Sequence, residues 1–70
     1  MNYTQPLLET ETIEEGIERL KKTVAMRDKM SGGMYFNIMN DDACELASQL
    51  VKRGANREEI HLIIGKENAI

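Results

Sequence analysis

Apolar side chains recur along this chain at helical intervals in three separate stretches. In the first, Ile13, Ile17, Leu20 and Val24 follow one another at +4, +3 and +4. On a 3.6-residue wheel they fall within about 60° of each other, a narrow stripe. Thr12-Ile13-Glu14-Glu15 has the form of a capping box, in which the Thr hydroxyl accepts from an early N–H and Glu15 reaches back. Glu15 to Arg19 and Glu18 to Lys22 are i,i+4 pairs in the favourable direction, and acids precede bases as the helix dipole prefers. The pattern predicts a first helix over 12–30, ended by Ser31-Gly32-Gly33.

A second apolar stripe runs along the same segment. Met26 and Met30, with Thr23, lie about 90–150° from the isoleucine stripe. Two stripes imply a helix covered from two sides, either by its own chain alone, with the hairpin and the linker both packing there, or by its own chain and a partner or second subunit. The spacing does not say which stripe does which.

Next, Met34, Phe36 and Ile38 alternate within Met34-Tyr35-Phe36-Asn37-Ile38-Met39. A lone strand finds no pairing partner in this chain, so the segment reads as an extended apolar linker or a helical turn. Asn40-Asp41-Asp42 is a run of N-cap residues, and Asp42 with Glu45 repeats the box. Ala43, Leu46, Ala47, Leu50 and Val51 then share one face, opposite Glu45, Ser48, Gln49 and Lys52. A second helix is expected over 42–53, with Gly54 at the C′ position. Asn56 caps a third helix with Glu59 three residues on, and Ala55 and Ile60 are placed as a hydrophobic staple. Ile60, Ile63 and Ile64 form its inner face and Gly65 ends it. The expected fold is all-α: a long N-terminal helix, a short apolar linker, then a helical hairpin. Residues 1–11 read as a flexible N-terminal arm containing Pro6, 12–65 as a single three-helix domain, and 66–70 as a frayed tail.

Length sharpens this picture. A chain of 70 residues is at most one domain, and at this size only about 60% of the unfolded surface is buried. Small natural chains often add disulfides, a metal or an oligomer interface. Cys44 is the only cysteine and His61 the only histidine, which excludes an internal disulfide and leaves a structural zinc site short of ligands. Oligomerisation, most simply a homodimer, remains as the expected staple. The formal charge of −3, from twelve acids and nine bases, opposes general binding to nucleic acid or anionic membrane. One unpaired cysteine suits a reducing, cytoplasmic compartment. The opening Met-Asn-Tyr-Thr-Gln-Pro has neither a basic n-region nor an apolar h-region. The longest apolar run, Leu62-Ile63-Ile64, is too short for a membrane span.

Candidate chemistry is sparse. His61 flanks the third helix's apolar face with no base or nucleophile placed beside it, and reads as a rim histidine. Cys44 reads as a small buried hydrophobe, whose neighbours Asp41, Asp42 and Glu45 would raise its pKa. Helix capping accounts for the acidic run, which lacks calcium-loop spacing. No catalytic residue, metal ligand or cofactor site is assigned. Leu50 to Ile60 resembles the turn of a helix-turn-helix. Leu50 stands where that motif has a small residue, and Glu58 and Glu59 at the head of the would-be recognition helix repel phosphate. Lys52, Arg53 and Arg57 are candidates for holding an anion near the third helix's N-terminus.

The leading expectation is a non-catalytic interaction or regulatory module that self-associates and binds a protein partner. In style it resembles the small acidic helical regulators and inhibitors of phages and mobile elements. Its candidate interface comprises Ile13, Ile17, Leu20, Val24, Met26 and Met30 on the first helix, with Tyr35 and Leu62 facing away from the expected core. The alternatives are an oligomeric binder of a small anionic ligand or nucleotide, and a DNA-binding regulator.

Overall fold

The computed structural model describes residues 9–29 and 33–65. The expectations for most of the N-terminal arm, for Met30 and the Ser31-Gly32 stop, and for the tail lie outside the described residues. The described residues form three helices: α1 (Ile13–Lys29), α2 (Gly33–Lys52) and α3 (Arg57–Ile64). No described helix is long and apolar enough to cross a membrane.

The termini follow the local chemistry. At the start of α1 the Thr12 N–H donates to Glu15 Oε1 at 2.9 Å, and the Glu15 N–H donates to Thr12 Oγ1 at 3.1 Å. Both halves of the capping box are therefore closed. At α3 the Glu59 N–H donates to Asn56 Oδ1 at 3.1 Å, and Asn56 has the extended backbone of an N-cap. Helix α2 ends in a Schellman turn. The Ala55 N–H reaches the Leu50 carbonyl and the Gly54 N–H reaches the Val51 carbonyl, each at 3.0 Å. Gly54 takes a φ of 107° there, a conformation that favours glycine.

The second helix differs from expectation. Met34 to Met39 is neither linker nor strand: it forms the first turns of α2, which starts at Gly33 rather than at residue 42. Asn40, Asp41 and Asp42 consequently sit inside the helix instead of capping it. The reason is continuity of the apolar face. Phe36, Met39, Ala43, Leu46 and Leu50 recur at +3, +4, +3 and +4, so one 20-residue helix keeps a single face turned inward. Helix propagation costs less than breaking and renucleating at Asp42.

The core gathers Leu20 and Val24 from α1, Ala43, Leu46, Ala47 and Leu50 from α2, and Ile60 and Ile64 from α3. Ala43 and Ala47 let the backbones of α1 and α2 approach closely. Ile13, Ile17, Cys44, Val51, Ala55 and Ile63 pack around its margin. Ile60 and Ile64 are thus the deepest residues of α3, and Ile63 is half-buried.

The buried face of α1 comprises Gly16, Leu20, Thr23, Val24 and Arg27. Its centre is displaced from the isoleucine stripe by about 40–50° toward Thr23. This resolves the two stripes of α1. They are margins of one broad face: the chain's own core takes Leu20, Val24 and Thr23, leaves Ile13 and Ile17 half-buried, and leaves Met26 50% exposed.

Candidate functional site

Long-range bonds orient the helices. Near one end Arg27 of α1 meets Asn40 of α2, and at the other Arg53, just past α2, meets Glu11, just before α1. Helices α1 and α2 are therefore antiparallel. Arg27 also binds the carbonyl of Ile64, the last residue of α3, so α3 runs antiparallel to α2. The bundle has an Arg27 end and an Arg53 end, and the candidate residues divide between them.

Arg27 organises the first end. It is 7% exposed, and its guanidinium is fully engaged. Nε donates to Asp28 Oδ1 at 3.0 Å, and Nη2 forms an ion pair with the same oxygen at 3.0 Å. Nη1 donates to Asn40 Oδ1 at 2.9 Å and to the Ile64 carbonyl at 2.8 Å. The charge also lies 5.7 Å from the centre of the Phe36 ring, within cation–π range. A rigid five-donor fork can make all these contacts at once; an ammonium cannot.

The large apolar side chains that stay exposed lie toward the same end of the bundle. They are Met26, Met34, Tyr35 and Leu62, at 50%, 73%, 61% and 71% exposure. Met26 adjoins Arg27 in sequence. Met34 and Tyr35 immediately precede Phe36. Leu62 is two residues before Ile64. They stand near the C-termini of α1 and α3 and the N-terminus of α2, which the antiparallel arrangement brings to one end.

Of the candidate interface residues, Met26, Tyr35 and Leu62 are found at this end. Leu20 and Val24 belong to the interior and are withdrawn as interface residues, because a side chain with almost no exposure has nothing left to offer a partner. Ile13 and Ile17 serve the core margin. Met30 lies outside the described residues. Met34 was not among the candidates; the alternating pattern around it concealed that it starts a helix and points outward.

At the opposite end Lys52, Arg53 and Arg57 are all exposed beside the α2–α3 turn. Arg53 donates from Nη1 to the Glu11 carbonyl at 2.8 Å, and Arg19 pairs with the Glu11 carboxylate at 2.7 Å. Arg53 thus acts as a strap that secures the entry to α1.

The remaining reactive groups show no catalytic pairing. Burial pushes the Cys44 thiol pKa up, Asp41 adds to the effect, and Arg27 opposes it. The thiol is correspondingly poor in thiolate. His61 is half-buried, and its Nε2 is enclosed with no hydrogen bond to a described residue. Among the described residues no three His, Cys, Asp or Glu side chains gather where they could hold a metal ion. No family model, curated protein or solved structure matches this chain.

Proposed function

We propose that the protein is a small interaction module, in which the three-helix scaffold presents an apolar docking face and carries out no chemistry of its own. One observation carries this reading: Met26, Met34, Tyr35 and Leu62, from three different helices, are all exposed at the end organised by Arg27. Methionine adapts its shape to a partner surface, and tyrosine supplies a large contact area at low entropic cost. Arg27 ties the ends of α1 and α3 to the flank of α2, so this end is already ordered before binding, which lowers the entropy lost on association. The module acts as a regulator by occupying another protein's surface or by self-association. Its single, free cysteine suits a reducing cellular compartment.

Site-specific photocrosslinking in the native host tests the reading. A crosslinker at Tyr35 or Leu62 should give discrete protein adducts, while one at Lys52 should give none. Equal labelling from both ends, or none from Tyr35 and Leu62, would overturn it.

A further inference from the structure

The fold sorts its methionine sulfurs by burial. Met34, in the first turn of α2, is 73% exposed, and Met26, near the end of α1, is 50% exposed. Met39, five residues after Met34 on the same helix, is 3% exposed. A thioether reacts with a two-electron oxidant such as hydrogen peroxide, and access to solvent governs the reaction. The sulfur lone pair attacks one peroxide oxygen, the O–O bond breaks, and the departing hydroxide takes up a proton and leaves as water. The sulfur is oxidised by two electrons and the peroxide is reduced. Methionine sulfoxide replaces a flexible apolar side chain with a polar one. At Met39 that change would put an unpaired polar group in the interior. At Met34 and Met26 it alters the surface. The other oxidisable sulfur among the described residues, Cys44, is half-buried and poor in thiolate.

Resting on the reading of this end as a docking surface, we propose that Met34 and Met26 are reversible oxidation sites, at which peroxide releases the docked protein while the three-helix fold stays intact. A partner that buries these side chains buries thioethers. Once oxidised, each sulfoxide oxygen must give up its water on docking, and that cost opposes burial. The fold itself bears little of it, because both side chains are at least half in water before and after oxidation. The exposure that admits peroxide also admits methionine sulfoxide reductases, in which a pair of thiols is oxidised to a disulfide as the sulfoxide oxygen leaves as water. The apolar surface is then restored. Met39 serves as an internal control, since it shares a helix with Met34 and differs from it in burial.

Mass spectrometry of peptides from the full chain, over a time course in hydrogen peroxide, reads the sites. Met34 and Met26 should gain oxygen at least about tenfold faster than Met39. The melting temperature of the oxidised chain should stay within about 4 °C of the untreated one. Photocrosslinking from Leu62 in host lysate, with the chain freed of peroxide beforehand, reads the consequence. Adduct yield should fall at least about fivefold on oxidation and return after treatment with methionine sulfoxide reductases. Cys44→Ala should lose yield on oxidation as the wild type does. Met26→Leu with Met34→Leu, whatever its starting yield, should give the same yield before and after peroxide. Three results would overturn the inference: Met39 oxidised as fast as Met34, a melting temperature that collapses on oxidation, or a peroxide-dependent loss of yield that persists in the double leucine variant. An adduct from Leu62 that survives oxidation of the wild type removes the switch and leaves the docking surface standing. No adduct even before oxidation removes both.

Discussion

Arg27 and Ile64 lie 37 positions apart in sequence, yet the Arg27 guanidinium donates to the Ile64 carbonyl at 2.8 Å. A cation is thereby fixed at the C-terminus of α3, where the helix dipole is negative and the last carbonyls lack partners within the helix. Arg27 also lies in the last turn of α1. One charge therefore serves two helix ends and, through Asn40, the flank of α2.

Replacing that arginine should cost more than an ordinary charge deletion. Arg27→Met keeps much of the volume but removes the guanidinium bonds to the Ile64 carbonyl and Asn40. It should destabilise the fold by about 2–4 kcal/mol. Arg27→Lys keeps the charge and loses the fork, and should cost about 1–3 kcal/mol. Chemical denaturation followed by circular dichroism measures both. A melting curve unchanged in both variants would show that the guanidinium bonds do not stabilise the bundle.

Two positions two residues apart on α3 should respond in opposite ways. Ile64 is 0% exposed and Leu62 71% exposed. Ile64→Asp places an acid in the apolar core and should cost about 4 kcal/mol or more, enough to unfold a domain of this size. Leu62→Asp should leave the isolated chain within about 0.5 kcal/mol of wild type while impairing association. Thermal melts of the two variants, with sizing of Leu62→Asp, check the contrast.

Acid should loosen the start of α1. The hydrogen bonds from Thr12 hold the Glu15 pKa below its ordinary value of 4.5. A carboxylate whose pKa is lowered by folding stabilises the fold fully above the unfolded value, and this contribution disappears as the pH falls through the folded value. Glu15→Gln preserves a side-chain acceptor for the Thr12 N–H and removes the titration. Helicity of the wild type should decline below the ordinary glutamate pKa more steeply than that of Glu15→Gln. Parallel acid titrations of the two would refute the linkage.

Gly54 offers a test of backbone conformation alone. A Cβ added there would meet no atom within 4 Å, but the φ of 107° is one that other residues rarely adopt. Gly54→Ala should therefore cost about 1–2 kcal/mol through strain without any clash. Urea midpoints compare the two, and a gain in stability on substitution would contradict the turn geometry.

Much of the fold was legible because local signals and burial agreed. Thr12 with Glu15, Asn56 with Glu59, and Gly54 act at the positions that their spacing implies, since capping is decided within a few residues. The start of α2 was not legible in the same way. Asn40, Asp41 and Asp42 carry a strong N-cap signal, but a cap only matters where a helix begins, and the register from Phe36 through Leu50 overrides it. Arg27 was missed because a charged residue is normally a solvated one. Its spacing, three residues after Val24 and seven after Leu20, extends the buried stripe and was the available clue. Gly16 shows the converse. It falls beside the isoleucine stripe and is buried within the chain, so Gly16→Leu would probe folding. Leu62 faces outward as the phase of α3 implies, whereas Tyr35 is in phase with buried Met39 and Ala43 and is exposed in the first turn of α2. That the exposed apolar side chains gather at one end depends on how α1, α2 and α3 are directed, which no single segment encodes.

The shortness of α3 has a dynamic consequence. At eight residues it is well below the length at which a helix persists unaided in water. It exists only while Ile60 and Ile64 are seated and its final carbonyl is held. Undocking and unwinding of α3 should therefore be a single event, and its amides should exchange with deuterium together. Their common rate would report the free energy of that opening directly, and in Arg27→Lys it should rise more for α3 than for the middle of α2.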